Sequence, residues 1–115
     1  MYLDYLKQRK ISQTMTTFKE LGLNPSIIKS LDDMGFIEPT PVQDKVIPFI
    51  LKHKKDLIAL AQTGTGKTAA YGLPILDRMN ATGNGLEAII ICPTRELCLQ
   101  ICEDIKNYAK YMKGA

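Results

Sequence analysis

Residues 61–68 read Ala-Gln-Thr-Gly-Thr-Gly-Lys-Thr and combine the residue types that a phosphate-binding loop needs. Gly64 and Gly66 allow the backbone to turn tightly and to approach a ligand without interference from a Cβ atom. Successive backbone N–H groups then form a concave anion site, and a following helix adds the positive end of its dipole. Lys67 would reach the β and γ phosphates of a nucleotide, and the hydroxyl of Thr68 would bind Mg²⁺.

The sequence around this loop predicts a strand before it and a helix after it. Residues 57–61 are short and continuously apolar, as in a parallel strand that is covered on both faces. Residues 69–79 carry apolar side chains at helical spacing, although Pro74 should kink that helix or end its regular part. After a loop at 82–85, residues 86–92 predict a second strand. This order implies a parallel, right-handed βαβ unit and an α/β fold class.

Three further helices are predicted from their N-caps. Asn24 and Thr40 are good capping residues, and each precedes a proline that suits the first helical position. Gly35 should end the first of these helices, and Thr94 can cap the last. One apolar face is expected on each helix: Ile27, Leu31 and Met34; Val42, Val46, Phe49 and Ile50; and Leu97, Ile101, Ile105, Tyr108 and Met112.

Gln43 falls away from the apolar face of its helix, one turn after the helix begins. A glutamine side chain carries a donor and an acceptor together, so it can pair with the N6 amine and N7 of an adenine. Taken alone, such a residue is more often an ordinary surface residue. Its neighbours change that interpretation.

Those neighbours resemble the motifs of a known family. Residues 35–43, Gly-Phe-Ile-Glu-Pro-Thr-Pro-Val-Gln, resemble the Q motif of the DEAD-box RNA helicases, with Phe18 at the position of the family's isolated upstream aromatic residue. Residues 61–68 resemble motif I, including the alanine at its first position, and residues 93–97, Pro-Thr-Arg-Glu-Leu, resemble motif Ia. The motifs occur in the family's order and spacing. Tyr71 and Cys98 replace the commoner Phe and Ala.

The resemblance implies a set of functional residues. Phe36 and Gln43 would recognise adenine, Phe18 would support that pocket, and Lys67 and Thr68 would take part in catalysis, with Thr68 binding Mg²⁺. The implied site for ATP or ADP comprises Phe18, Phe36, Gln43, Ala61, Gln62, Thr63, Gly64, Thr65, Gly66, Lys67 and Thr68. Pro93, Thr94 and Arg95 would lie along the RNA backbone, because a cap hydroxyl, a guanidinium and a helix N-terminus can all meet one phosphate.

The resemblance also implies groups that this sequence does not contain. ATP hydrolysis needs a carboxylate to hold Mg²⁺ and a group to orient water, and the family takes both from an Asp-Glu-Ala-Asp motif beyond motif Ia. No such motif occurs in the 115 residues. We therefore expect residues 1–17 to be an extension and residues 18–115 to be the N-terminal portion of the first RecA-like domain. Its parallel sheet, flanked by helices, would be truncated after about two strands, and its open edge would favour self-association or pairing with the rest of the helicase.

Composition agrees with one small globular domain. The net charge of +3 permits a polyanionic partner such as RNA without requiring one. Neither a membrane-spanning run nor the apolar core of a signal peptide is present in the sequence. Three cysteines, an odd number, fit reduced thiols in the cytoplasm better than a disulfide framework. Cys98 and Cys102 are expected to contribute to packing rather than to a metal site.

Three functions therefore remain. The first is the fragment of an RNA helicase, which would bind adenine nucleotides without hydrolysing them. The second is a fragment of another superfamily 2 helicase or P-loop ATPase that acts on DNA or serves a transporter. The third is a non-enzymatic adaptor in which the loop merely packs. The joint presence of Gln43 and residues 93–97 favours the first.

Overall fold

The structure, a computed structural model, describes residues 16–79 and 85–114. A short 3₁₀ helix precedes four α-helices: Phe18–Leu21, then α1 (Pro25–Asp33), α2 (Pro41–Lys52), α3 (Lys67–Arg78) and α4 (Arg95–Tyr108). Most of the predicted extension, and all of the predicted loop except Gly85, lie outside the described residues. None of the helices within the described ranges has the length and apolar character that a bilayer crossing requires.

The α-helix starts predicted from capping residues are confirmed. The Asn24 side chain accepts a hydrogen bond from the backbone N–H of Ser26 at 2.9 Å, and α1 begins at the following proline. Thr40 caps α2 in the same way, and Thr94 accepts from the N–H of Leu97 at 3.2 Å to cap α4. These starts are local features of the chain, so the sequence alone could place them.

Gly35 ends α1 as predicted. Its φ is 76°, a left-handed conformation that favours glycine. The N–H of Gly35 donates to the carbonyl of Asp32, and the N–H of Phe36 donates to the carbonyl of Leu31 at 2.8 Å. These two bonds form a Schellman motif, which satisfies the last carbonyls of α1 and turns the chain toward α2.

The apolar core forms mainly from α1, α2 and α3. Ile27 and Leu31 of α1, Ile47 of α2 and Leu73 of α3 are fully buried in it. Burial of four such aliphatic side chains stabilises the fold by roughly 1.5–3 kcal/mol each before conformational entropy is counted. Tyr108 of α4 belongs to the same cluster.

Helix α4 approaches α3 closely at Gly72. A Cβ atom added to Gly72 would lie only 2.6 Å from Cδ1 of Ile105. The contact between the two helices therefore depends on the absence of a side chain at Gly72.

The buried face of α2 differs from the predicted one. Ile47 and Pro48, which the prediction omitted, are buried. Val42 and Ile50 instead line a cavity that also contacts Leu57 and Ala59 of the predicted first strand. Because α2 packs against α3 on one side and this segment on another, a search for a single apolar stripe could not separate the two faces.

Helix α3 ends beside the end of α2. It continues through Pro74 as far as Arg78, so an early end at the proline, one of the two predicted outcomes, is wrong. The guanidinium of Arg78 donates to the carbonyls of Ile50 and His53, the latter at 2.9 Å. Arg78 thereby satisfies carbonyls at the C-terminal end of α2, where a cation is favourable.

The two predicted strands, residues 57–61 and 86–92, are not paired into a β-ladder within the described residues. The second segment nevertheless alternates like a strand. Ala88, Ile90 and Cys92 line a cavity against α3 and α4, whereas Ile89 and Ile91 are exposed. This period of two is that of an extended strand with one covered face and one open face. The parallel sheet itself remains a prediction, because neither segment is hydrogen-bonded to a neighbouring strand within the described residues.

Candidate nucleotide-binding site

The loop at residues 61–68 leads directly into α3 and has the predicted glycine geometry. Gly64 and Gly66 have φ values of 78° and 80°, in the left-handed region. A Cβ on Gly64 would meet no atom within 4 Å, so the backbone conformation alone requires glycine there. A Cβ on Gly66 would collide with the side chain of Gln43, so close approach of a second element also requires glycine at this position.

Lys67 is held by the loop itself. Its Nζ donates to the carbonyl oxygen of Ala61 at 2.7 Å, and the hydroxyl of Thr65 donates to the carbonyl of Gln62 at 2.6 Å. The Lys67 side chain remains exposed, as do Gln62, Thr63 and Gly64. A phosphate oxygen would replace a neutral carbonyl by an anionic acceptor, and charge-assisted hydrogen bonds of this kind are the stronger ones.

Thr68, in the first turn of α3, contacts Tyr71 one turn later. Burial raises the pKa of the Tyr71 phenol, and a hydrogen bond with the Thr68 side chain partly opposes that rise. Thr68 supplies one hydroxyl oxygen at the start of a helix, which fits a Mg²⁺ ion whose remaining ligands would be phosphate and water oxygens. In the sequence, the only signal at Tyr71 was that it replaces the commoner Phe of the family.

Gln43 is buried against the loop. Its Oε1 accepts from the backbone N–H of Thr40 at 2.9 Å, and its Nε2 donates to the carbonyl of Gly66 at 3.1 Å. The side chain is only 5% exposed. The prediction that Gln43 falls away from the apolar face is wrong, because Gln43 lies one turn before the fully buried Ile47 and is buried with it. Residue 66, which helps to cover it, belongs to another element. Both atoms that would pair with adenine are already hydrogen-bonded.

The two phenylalanines of the predicted adenine pocket lie in different environments. Phe36 is exposed, immediately after the Schellman turn. Phe18 is buried in the core, and its N–H donates to the carbonyl of Ile37 at 3.2 Å. The structure thus places Phe18 behind the segment that carries Phe36, where it can position that segment.

Pro93, Thr94 and Arg95 form the exposed start of α4. The Thr94 hydroxyl accepts the capping hydrogen bond, and Arg95 occupies the first helical position. The phenol of Tyr71 lies close enough to Cys92 for the thiol to affect its pKa. The end of the segment at 86–92 is therefore near the first turns of α3, which carries Lys67 and Thr68.

Comparison with known proteins identifies sequence relatives. Residues 40–115 match the family model described as DEAD/DEAH box helicase. The DEAD-box ATP-dependent RNA helicase CshA of Geobacillus kaustophilus is 50% identical over 91 residues, which are 79% of this chain and 19% of that protein. The ATP-dependent RNA helicase DeaD of Buchnera aphidicola is 43% identical over 104 residues, 90% of this chain and 17% of that protein. The chain thus spans about a fifth of the length of the curated relatives it matches.

Solved structures show a similar fold. A DEAD box protein of the hyperthermophile Methanococcus jannaschii is 41% identical and superposes with a TM-score of 0.79. The matched region covers 84% of this chain and 26% of that one. The Saccharomyces cerevisiae protein Dbp5, solved with RNA and ADP BeF3, is 38% identical and superposes with a TM-score of 0.79. The matched region covers 84% of this chain and 25% of that one. Sequence and fold therefore agree, and the chain belongs to the DEAD/DEAH box helicase family.

Proposed function

We propose that residues 18–115 form the adenine-nucleotide-binding part of an ATP-dependent RNA helicase. The observation that carries this proposal is the loop at 61–68, with two left-handed glycines and a lysine at the start of α3. The matched proteins CshA and DeaD are both named ATP-dependent RNA helicases, which supports ATP as the nucleotide and RNA as the partner.

Phosphate binding would begin with Lys67. On this proposal its Nζ leaves the carbonyl of Ala61 for the β and γ phosphates, while backbone N–H groups of the loop and of the first turn of α3 point at the same oxygens. Thr68 would hold Mg²⁺, which would neutralise phosphate charge when bound. The chain's own contribution is to fix the phosphate chain against a helix N-terminus.

Adenine recognition would use the remaining hydrogen-bonding capacity of Gln43. The Nε2 and Oε1 atoms now bound to Gly66 and Thr40 are the donor and acceptor that N7 and the N6 amine of adenine require. Phe36 is exposed nearby in sequence and offers an aromatic face to the base. Guanine presents a carbonyl in place of the N6 amine, so the same side chain would discriminate against it.

RNA contact would involve the start of α4. Pro93, Thr94 and Arg95 are exposed there, and the helix N-terminus adds a positive potential. The structure of Dbp5 was solved with both RNA and ADP BeF3, which supports joint binding of the two ligands within the family. A contact to phosphates alone is expected to weaken as salt concentration rises.

The complete helicase would couple ATP binding and hydrolysis to local unwinding of duplex RNA. We propose that this chain alone binds adenine nucleotides without hydrolysing them, because the Asp-Glu-Ala-Asp motif is absent from its sequence. Residues 57–61 and 86–92 would become strands of a parallel sheet when a further polypeptide segment pairs with them. The exposed Ile58, Leu60, Ile89 and Ile91 support a partner on that open face, either the rest of the helicase or a second copy.

Calorimetric titration of the 115-residue chain with ADP and Mg²⁺ tests the nucleotide proposal. We expect Lys67→Ala to weaken ADP binding by at least about tenfold, because it removes a charge-assisted hydrogen bond of ~1.5–3 kcal/mol. Lys113→Ala, which removes an exposed lysine after α4, serves as the matched control and should bind like the unmodified chain.

Two results would overturn the proposal. Equal ADP affinity in the Lys67→Ala variant would favour the non-enzymatic adaptor, in which the loop merely packs. Equal affinity of the unmodified chain for GDP and ADP would remove the adenine assignment and favour another P-loop ATPase.

A further inference from the structure

All three cysteines of the chain lie around one apolar cavity. Cys92, Cys98 and Cys102 line a space of about 320 Å³ between the segment at 86–92 and helices α3 and α4. The rest of its lining is almost wholly aliphatic, with Ile90 and Ile101 among its members. This cavity therefore brings the three thiols to one small apolar surface outside the nucleotide site.

Two of these thiols are neighbours on the cavity wall. Cys92 and Cys98 both line the cavity, and partial burial together with the neighbouring Cys98 raises the pKa of the Cys92 thiol. Cys98 is exposed and Cys92 is half-buried. An oxidant would therefore reach Cys98 first, with Cys92 placed to react with the product.

Cys92 and Cys98 lie on either side of the start of α4. Cys92 ends the extended segment, and Cys98 lies in the first turns of α4. Residues 93–97 between them include the Thr94 cap and Arg95. Cys92 also contributes to the raised pKa of the Tyr71 phenol, which contacts Thr68 of the phosphate loop. A bond between the two sulfurs would fix the start of α4 relative to the segment that precedes it.

We propose that Cys92 and Cys98 are a peroxide-sensitive thiol pair, which hydrogen peroxide oxidises to a disulfide that closes a ring around residues 93–97. The Cys98 thiolate attacks one peroxide oxygen, the O–O bond breaks, and the departing hydroxide takes up a proton to become water. The Cys92 sulfur then attacks the Cys98 sulfenic sulfur, an S–S bond forms, and the S–O bond breaks with loss of a second water. Two thiols are oxidised and one peroxide is reduced.

Other uses of the cysteines fit the structure less well. Among the described residues no three His, Cys, Asp or Glu side chains are grouped so that they could hold a metal ion. Cys102 is on the cavity wall, but the pKa of the Cys92 thiol responds to Cys98 alone among the cysteines. Cys98 and Cys102, which we expected to contribute to packing, both line the apolar cavity and are also exposed.

The functional consequence rests on the proposed RNA contact. If Arg95 and the α4 N-terminus meet an RNA phosphate, a ring closed at residues 92 and 98 limits how the segment can adjust to RNA. The reduced chain should then bind a single-stranded RNA oligonucleotide with a different affinity from the oxidised chain. The disulfide itself needs neither RNA nor nucleotide, so its test stands apart from the proposed function.

Differential alkylation tests the pair directly. The 115-residue chain is treated with equimolar hydrogen peroxide, blocked with iodoacetamide, reduced, labelled with N-ethylmaleimide and mapped by tandem mass spectrometry. We expect two of the three thiols to be lost, with the second label on Cys92 and Cys98 and no disulfide-linked dimer on a denaturing, non-reducing gel. Cys102→Ser is the matched control and should lose the same two thiols, whereas Cys98→Ser should retain both of its remaining thiols.

A parallel reaction in concentrated guanidinium chloride shows whether the folded structure, rather than closeness in sequence, causes Cys92 to pair with Cys98. There the preference for Cys92 with Cys98 should disappear, because the cavity no longer brings the two thiols together. The same preference in denaturant, a bond between Cys98 and Cys102, disulfide-linked dimers, or three unreacted thiols would each overturn the proposal.

Discussion

Gln43 connects the two halves of the candidate site. One end of its side chain completes the cap of α2, and the other end holds the carbonyl of Gly66 in the phosphate loop. Each of these two atoms makes one hydrogen bond here, although an amide oxygen can accept two and an amide NH₂ group can donate two. On the proposed function, Gln43 would therefore contact adenine and the loop with the same side chain.

We predict that Gln43→Glu reduces selectivity for adenine and leaves α2 capped. A carboxylate still accepts from the Thr40 N–H, but it can no longer donate to N7 of adenine or to Gly66. ADP affinity should fall by about fivefold, corresponding to one net hydrogen bond of ~1 kcal/mol, while GDP affinity should change little. Calorimetric titration of both nucleotides measures this, and helical circular dichroism confirms that the fold is retained. An unchanged ADP-to-GDP ratio would remove Gln43 from base recognition.

The sequence predicted the roles of some individual residues and missed those of others. The sequence placed Asn24, Thr40 and Thr94 correctly as caps, because capping depends on atoms only two or three residues away. It missed the burial of Gln43, since Gly66 lies 23 residues further along the chain. It also missed the contact of Tyr71 with Thr68, because nothing in a sequence pattern reveals where a hydroxyl finds its partner.

At the scale of elements, α4 contributes a buried phenol to the core. Tyr108, its last residue, is 5% exposed and belongs to the main core cluster. Burial raises the pKa of Tyr108 to about 12, with smaller contributions from Asp104 and Tyr71. The charged form of Tyr108 is thus disfavoured in the folded chain, where its ring packs against apolar neighbours.

We predict that this phenol makes the chain less stable at high pH. Its contribution is fully present below the ordinary pKa of 10.0 and is lost as pH rises toward about 12, because only the unfolded chain can release the proton in that window. Denaturant unfolding of the unmodified chain and of Tyr108→Phe at several pH values measures the effect. The variant should lose less stability between pH 10 and 12. Parallel pH curves for the two proteins would show that Tyr108 stays fully solvated.

The predicted strands illustrate what element-level patterns cannot supply. Residues 57–61 and 86–92 have strand-like composition, and the second segment alternates between covered and open side chains. Pairing depends on which segment lies beside them, and the described residues place no paired strand there. Hydrophobic pattern therefore predicted the segments but could not establish a sheet.

At the scale of the whole molecule, the open face of these segments is the most conspicuous feature. Leu60 is 93% exposed and Ile91 is 91% exposed, whereas most other large aliphatic side chains among the described residues are in the core. Large apolar side chains exposed in this way favour a contact site. A further polypeptide segment with an apolar face would cover it and pair with the exposed backbone edges.

We predict that the isolated chain self-associates through this face. Ile91→Lys should shift sedimentation velocity profiles toward the monomer, because a charge in the contact must be desolvated. Glu103→Lys, an exposed position on α4, adds a lysine elsewhere and should leave the association unchanged. A monomeric unmodified chain, or equal loss of association in both variants, would contradict this assignment of the contact.

The central claim is that the loop at 61–68 grips the phosphates of an adenine nucleotide while Gln43 tests its base. The most direct measurement is a crystal structure of the chain with ADP and Mg²⁺. We predict phosphate density against the loop and the start of α3, Lys67 Nζ moved from the Ala61 carbonyl to a phosphate oxygen, and adenine beside Gln43. Nucleotide density at any other place on the chain would contradict the account.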